Sequence, residues 1–425
     1  MDAEIPTSYQ LRSAVTGMTF TDTGWMLDAP GEPAGLLKTE YEKKQLTTGP
    51  ESLGLYRFSD WLPIQRILQG SSAPVTYKSA GLAAVLGLNN LYITFSGFWP
   101  EKGAGMRTCS FKETEAYSVC ARLAPGTEQT LVVASAGNTA RAFAQVCSDN
   151  KIPLLLCVPA NATDALWFDQ PLDPCVRLLC TPIESDYFDA IQLSNKVCNL
   201  PGFIPEGGAK NVARRDGMAT TVLSAATFIG RIPDYYFQAV GSGTGAIAAH
   251  EANLRLIRDG RFGTHTMKLV LSQNAPFLPM YDAWMKNTRA LLSVDEHKAR
   301  TQIKEIIAKV LSNRNPPYSI PGGLYDALSC CKGTFCKVTN EEAVAASRLF
   351  EHTEGIDIHP AAAVATASLI TLAQNKMIPS DDIIMLNITG GGESLFKKGR
   401  RLCYLEPEQI IPLETDLHQL KVLLN

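Results

Sequence analysis

From about Thr130 onward, short apolar runs alternate with stretches of helical spacing, and this alternation limits the possible folds more than any other feature of the chain. Leu131-Val132-Val133-Ala134 runs into Ser-Ala-Gly, after which Asn138 to Asp149 sets Ala142, Phe143, Val146 and Cys147 on one helical face. Ile152–Val158, Tyr235–Val240, Met267–Leu271 and Ile383–Ile388 read as strands, while Tyr187–Cys198 and Arg215–Ile229 read as helices. Strands separated by helices of this length pair in parallel through crossovers, so the expected class is α/β with helix-flanked parallel sheets. A chain of 425 residues, 45% of them apolar, is too long for one ordinary core and suits two such domains. A charged helix is expected over Asp295–Leu311, before the breaks at Pro316-Pro317 and Pro321-Gly322-Gly323.

Composition excludes several functions. The formal charge of −3 offers no basic field for nucleic acid. The longest apolar runs, such as Leu154–Val158, are of strand length and do not predict a membrane span. The opening MDAEIPTSYQ has neither the basic nor the apolar region of a secretory leader, and the 11 cysteines form no regular framework, so reduced thiols in a cytoplasm are expected. Cys330, Cys331 and Cys336 lack a fourth ligand at a recognisable spacing, and no metal is expected.

Four short segments carry the chemistry. In Thr108-Cys109-Ser110-Phe111-Lys112-Glu113, a lysine with small and apolar neighbours enters a helix. Desolvation there would free its amine for a Schiff base, although a lysine beside a glutamate is by itself more often a solvated helix-start charge. Ser135-Ala136-Gly137-Asn138-Thr139 lies between strand and helix, where hydroxyls and backbone N–H groups cradle a carboxylate; Asn138 also reads as a plain N-cap. Gly241-Ser242-Gly243-Thr244-Gly245 follows a strand and opens a helix. Lacking a P-loop lysine and dinucleotide spacing, it suits a monophosphate or a bare tight turn. Thr389-Gly390-Gly391-Gly392 ends a strand, at the edge where α/β sheets bind ligands.

In this order and spacing, the chain resembles the threonine synthase branch of the pyridoxal-phosphate (PLP) enzymes that share the tryptophan synthase β-subunit fold, from Tyr56 to about Lys398. Tyr56-Arg57 with Leu62-Pro63, the Leu86-Gly87-Leu88 entry to Tyr92, Ser110-Phe111-Lys112, and Gly355-Ile356 with Pro360-Ala361-Ala362-Ala363 carry the likeness. The resemblance implies PLP fold type II, with two domains each built on a twisted, mostly parallel sheet. Residues 46–119 and 233–425 would form the larger, PLP-binding domain, and 120–232 a smaller mobile one carrying the Asn138 loop. Residues 1–45 would be a knuckle-like extension without metal. The resemblance further implies that Lys112 carries the cofactor covalently and acts as the base, Asn138 bonds its 3′ oxygen, Gly241, Ser242, Gly243, Thr244 and Gly245 hold its phosphate, and Thr389 faces its pyridine nitrogen. Ser135 and Thr139 would grip the substrate carboxylate, and the assembly would be a homo-oligomer.

Departures from the threonine synthase pattern bear on the substrate. Lys112 is followed by Glu113-Thr114-Glu115 instead of Asp-Arg-Gly, and Ala104–Cys109 replaces Asn-Pro-Thr-Gly. His359 stands where a glutamate is usual, and the last strand ends Thr-Gly-Gly-Gly-Glu instead of Thr-Gly-His-Gly. This set resembles an archaeal branch of coenzyme M biosynthesis, implying β-replacement of the phosphate of O-phospho-L-serine by sulfite to give L-cysteate. Phosphohomoserine as in threonine synthase, and sulfide as in cysteine synthase, remain alternatives. Both phosphate and sulfite are anionic, so cations are expected near Cβ. Arg107 and Lys102, just before the lysine, are the expected pair, with Lys210, Arg214 and Arg215 as a second cluster and Lys397, Lys398, Arg400 and Arg401 as a third that reads as a solvated loop.

Overall fold

The computed structural model describes residues 7–424 and contains two mainly parallel sheets. The larger has six strands in the order Thr334–Val338, Lys268–Asn274, Tyr235–Ala239, Ile384–Ile388, Leu91–Phe95 and Val75–Lys78, and only the last pairs antiparallel. The smaller has five parallel strands in the order Phe203–Pro205, Thr130–Ala134, Leu154–Pro159, Val176–Thr181 and Gln409–Ile410. The central strands are buried along their whole length, because helices cover both faces. Residues 9–41 add a three-stranded antiparallel sheet ordered Thr19–Phe20, Tyr9–Ser13, Leu37–Tyr41.

Two details depart from the sequence reading. The last 22 described residues do not stay with the larger sheet: Cys403–Tyr404 pairs with Trp167–Phe168, Gln409–Ile410 extends the smaller sheet, and Leu420 packs in its core. The charged helix ends early, at Glu305. Ile306 turns to extended geometry and buries its side chain, because Ile306, Ala308 and Leu311 have apolar surface to cover that a straight charged helix would leave in water. The chain from 310 to 313 then forms a wall of the cleft between the sheets.

The Lys112–Arg122 helix is buried almost completely between the two sheet systems and packs against the Val212–Ile229 helix. Gly217 permits that approach. A Cβ there would sit 2.4 Å from the Thr114 carbonyl oxygen and 2.8 Å from Ser118 Cβ. Gly217→Ala should push the two helices apart and cost about 1–3 kcal/mol by denaturant unfolding, with Gly217→Val costing more. Unchanged unfolding midpoints for both variants would contradict this packing.

Candidate active site

The cleft lies at the carboxyl ends of both sheets. The Ser135–Thr139 loop leaves strand Thr130–Ala134, the Gly241–Gly245 loop leaves Tyr235–Ala239, and Thr389 follows Ile384–Ile388. The lysine loop is tied to the last of these: Phe111 N donates to Thr389 O at 3.0 Å, Gly391 N donates to Cys109 O at 3.1 Å, and Ser110 bridges Gly390. Lys112, Ser135, Asn138, Thr139, Gly241, Ser242, Gly243, Gly245 and Thr389 all line this one cleft. Thr244 backs the glycine loop, its hydroxyl 2.9 Å from Ser242 Oγ.

Lys112 lies in the first turn of its helix with its Nζ 3.2 Å from Glu115 Oε2. Burial pushes its pKa below the ordinary lysine range; Glu115 opposes this and Arg214 adds to it. Asn138 begins the helix to Asn150, and its Oδ1 accepts from Arg141 Nη2 at 2.9 Å, leaving the Asn138 amide N–H groups as free donors. Arg141, 2% exposed, stacks 4.1 Å above Trp167 and donates to the carbonyls of Thr108 and Ala165. No motif signals this orienting role.

The cations divide differently from the sequence reading. Arg107 is not in the cleft wall: its two arms bind Asp149 Oδ2 at 3.0 Å and Asp169 Oδ1 at 2.6 Å, carboxylates that hold it against the smaller sheet's side. Lys102 is exposed, with its ammonium over Tyr77 and Trp99 at 5.1 and 5.6 Å. Lys210 pairs with Asp28, and Arg215 is buried on Glu251 and on the carbonyls of Ala209 and Leu37. In the last cluster, Lys397 reaches Glu393 and Arg400 stacks on Phe98 and Phe396. Arg214 does line the cleft. Its arms pair with Glu115 Oε1 at 3.1 Å and Glu206 Oε2 at 2.6 Å; burial works against its charge, but these two carboxylates outweigh it and it stays protonated.

Tyr187, Ser312, Asn313 and His359 complete the wall. Asp186 caps the Tyr187–Val197 helix by accepting from Phe188 and Asp189 N–H groups, which places Tyr187 in its first turn. Across the mouth, Arg314 Nε meets Asp186 Oδ2 at 2.9 Å and Arg300 Nη1 meets Asp189 Oδ2 at 3.1 Å, linking the two sheet systems. His359 Nε2 lies 2.9 Å from Glu393 Oε2. Burial raises the Glu393 carboxyl, yet His359, Lys397 and Arg141 together hold it down at about 2. Among the described residues, no helix is long and apolar enough to cross a membrane, and no three His, Cys, Asp or Glu side chains are grouped to hold a metal.

Residues 100–390 match the family described as pyridoxal-phosphate dependent enzyme, which sets the class of this protein. Maize serine racemase superposes with a TM-score of 0.57 at 14% identity, covering 75% of this chain and 88% of that one. The serine racemase of Dictyostelium discoideum superposes with 0.54 at 15%, covering 75% and 92%. These likenesses establish fold type II. A cysteate synthase of Methanoculleus marisnigri is 50% identical over 90% of this chain and 88% of its own length. One of Methanosarcina acetivorans is 48% identical over 88% and 89%, and one of Methanospirillum hungatei 44% over 97% of each. The chain therefore belongs to the cysteate synthase family of PLP-dependent enzymes.

The cleft's own geometry fits that cofactor. It offers a buried amine of lowered proton affinity and a neutral threonine hydroxyl at a strand end. It also offers a glycine loop at the N-terminus of the 16-residue helix Thr244–Asp259, where N–H groups and the helix dipole favour a phosphate. Gly243 has φ +79°, and a Cβ there would lie 2.6 Å from Leu324 Cδ2, so this turn needs glycine.

Arg107→Ala should act as a structural change: about 1 kcal/mol less stable at most, with turnover within about threefold of wild type, because its charge is spent on two half-exposed carboxylates. A loss of tenfold or more in turnover with unchanged stability would return Arg107 to the reaction.

Proposed function

We propose that this cleft replaces the phosphate of O-phospho-L-serine by sulfite, releasing L-cysteate and phosphate, with PLP held by Lys112, Asn138, the Gly241–Gly245 loop and Thr389. One observation carries the reading: among the described residues, the Lys112 amine, the glycine loop at 241–245, the Ser135–Thr139 loop and the Arg214 guanidinium line the same cleft.

The roles follow from position. When bound, PLP supplies an electron sink that lets a proton leave Cα and phosphate leave Cβ. Lys112 Nζ would take the Cα proton and later return it; burial favours the neutral amine that takes the proton, and Glu115 favours the ammonium that returns it. Ser135 and Thr139, with the N–H groups opening the Asn138–Asn150 helix, would hold the substrate carboxylate. Asn138 would present its amide N–H to the cofactor's 3′ oxygen, since Arg141 occupies its carbonyl. Thr389 would put a neutral hydroxyl at the pyridine nitrogen, which suits elimination and replacement over transamination. Arg214 takes the anion role first given to Arg107. Its two arms are held by Glu115 and Glu206, so its charge and its buried Nε–H, which has no partner among the described residues, would face the departing phosphate and then the sulfite. Both substrates are small, and the working assembly is proposed to be a homo-oligomer in a cytoplasm.

Phosphate release should be measured from phosphoserine and from phosphohomoserine, each with sulfite, with sulfide and with neither. Release from phosphoserine that rises on adding sulfite supports the proposal, while preference for phosphohomoserine, or for sulfide as nucleophile, overturns it. Lys112→Ala should abolish turnover. Arg214→Ala should lower kcat/KM at least about a hundredfold, the scale of a buried charge-assisted contact to a reacting anion. Loss under threefold would remove Arg214 from the anion site.

A further inference from the structure

Glu115 belongs to no binding motif, yet it touches the central lysine. It lies three residues after Lys112, and a helical turn brings the two side chains onto one face. Its Oε2 is 3.2 Å from Lys112 Nζ, and its Oε1 is 3.1 Å from Arg214 Nη2. The other arm of Arg214 is 2.6 Å from Glu206. The Glu115 side chain is wholly buried, and those of Arg214 and Glu206 are each 7% exposed. A carboxylate shut away from water is costly unless cations meet it, and here each of its oxygens faces one. It also stands where the threonine synthase pattern has glycine.

We propose that Glu115 is a positioning residue for Lys112: its carboxylate receives the lysine ammonium whenever that amine is free of the cofactor, and it ties the base to the guanidinium of Arg214. The inference rests on the reaction proposed above. When Nζ takes the Cα hydrogen as a proton, the C–H electron pair stays with the substrate and the new ammonium rests against Glu115. No proton passes to the carboxylate. Phosphate leaves with the Cβ–O pair, the sulfur lone pair of sulfite forms the Cβ–S bond, and the same proton returns from Nζ to Cα. Holding the ammonium in one place keeps it over Cα between these events, and prevents its loss into the cleft.

The sign of the charge effect can be read from the surroundings. The groups facing Lys112 are Glu115 on its own helix, Arg214 on Val212–Ile229, Glu206 after strand Phe203–Pro205, and, across the cleft, Tyr187 and His359. Glu115 and Glu206 favour the ammonium, whereas burial and Arg214 favour the neutral amine. Removing the charge of Glu115 therefore lowers the pKa of Lys112 and weakens the hold on its ammonium.

The test uses Glu115→Gln, Glu115→Asp and wild type as full-length chains. Freed of PLP and labelled by an acylating reagent at one pH on the rising limb, Lys112 should react at least about threefold faster in Glu115→Gln than in wild type. As holoenzyme, Glu115→Gln should show an acid limb of kcat moved to lower pH and a plateau at least about tenfold down, with KM for phosphoserine no higher than wild type. Glu115→Asp keeps the charge and should keep the wild-type acid limb. Equal labelling rates, or a lower thermal midpoint with the acid limb unmoved, would overturn the proposal by reducing Glu115 to a packing role. Wild type that releases no phosphate from phosphoserine would sink the reaction instead, leaving the labelling result intact.

Discussion

The short antiparallel clasp between the lysine loop and the end of the Ile384–Ile388 strand sets the geometry of everything else. Two backbone hydrogen bonds, Phe111 N to Thr389 O and Gly391 N to Cys109 O, join segments about 280 residues apart. A third, from His359 N to Gly390 O, anchors the start of the Pro360–Gln374 helix to the same turn. Backbone bonds of this kind fix position without depending on side-chain rotamers, so Lys112 and Thr389 are held at a set separation by the sheet itself. The glycines at 390–392 are part of that clasp: a side chain at Gly390 would strike His359, and one at Gly392 the carbonyl of Phe98.

Around this clasp the charges are arranged so that few are left uncompensated. Glu115 sits between Lys112 and Arg214, and Arg214 between Glu115 and Glu206. Glu393 sits between His359 and Lys397. Buried ions need partners, and the consequence is that only a minority of the cations near the site remain available to an incoming anion. Arg214 qualifies because it lines the cleft and, with both arms paired, keeps a buried Nε–H that has no partner among the described residues. The salt bridges from Asp186 and Asp189 to Arg300 and Arg314 then join the smaller sheet's helix to the residues that flank the cleft wall at 310–313.

Much of this was legible in the sequence, for identifiable reasons. The apolar runs marked five of the parallel strands to within a few residues, because those strands are buried on both faces, whereas Val176–Thr181, Phe203–Pro205 and Thr334–Val338 were not read as strands. The three loops at strand ends were legible because backbone chemistry there demands glycine, serine, threonine or asparagine. The position of Arg107 outside the cleft lining has a physical reason. Its partners Asp149 and Asp169 lie 42 and 62 residues away, and closeness to Lys112 along the chain says nothing of which carboxylates compete for a guanidinium. Arg141 and Asn313 were invisible for the same cause, since each comes to the site through tertiary placement alone. The return of Gln409–Ile410 to the smaller sheet was equally hidden, because a two-residue edge strand has no period to read.

The central claim is that Lys112, and no other lysine, bonds to the cofactor in this cleft. Borohydride reduction of the PLP-loaded protein, followed by peptide mapping, tests it most directly. The account predicts one pyridoxyl group per chain, on the peptide that contains Ser110-Phe111-Lys112. A pyridoxyl group fixed at any other lysine, with Lys112 unmodified, would contradict it.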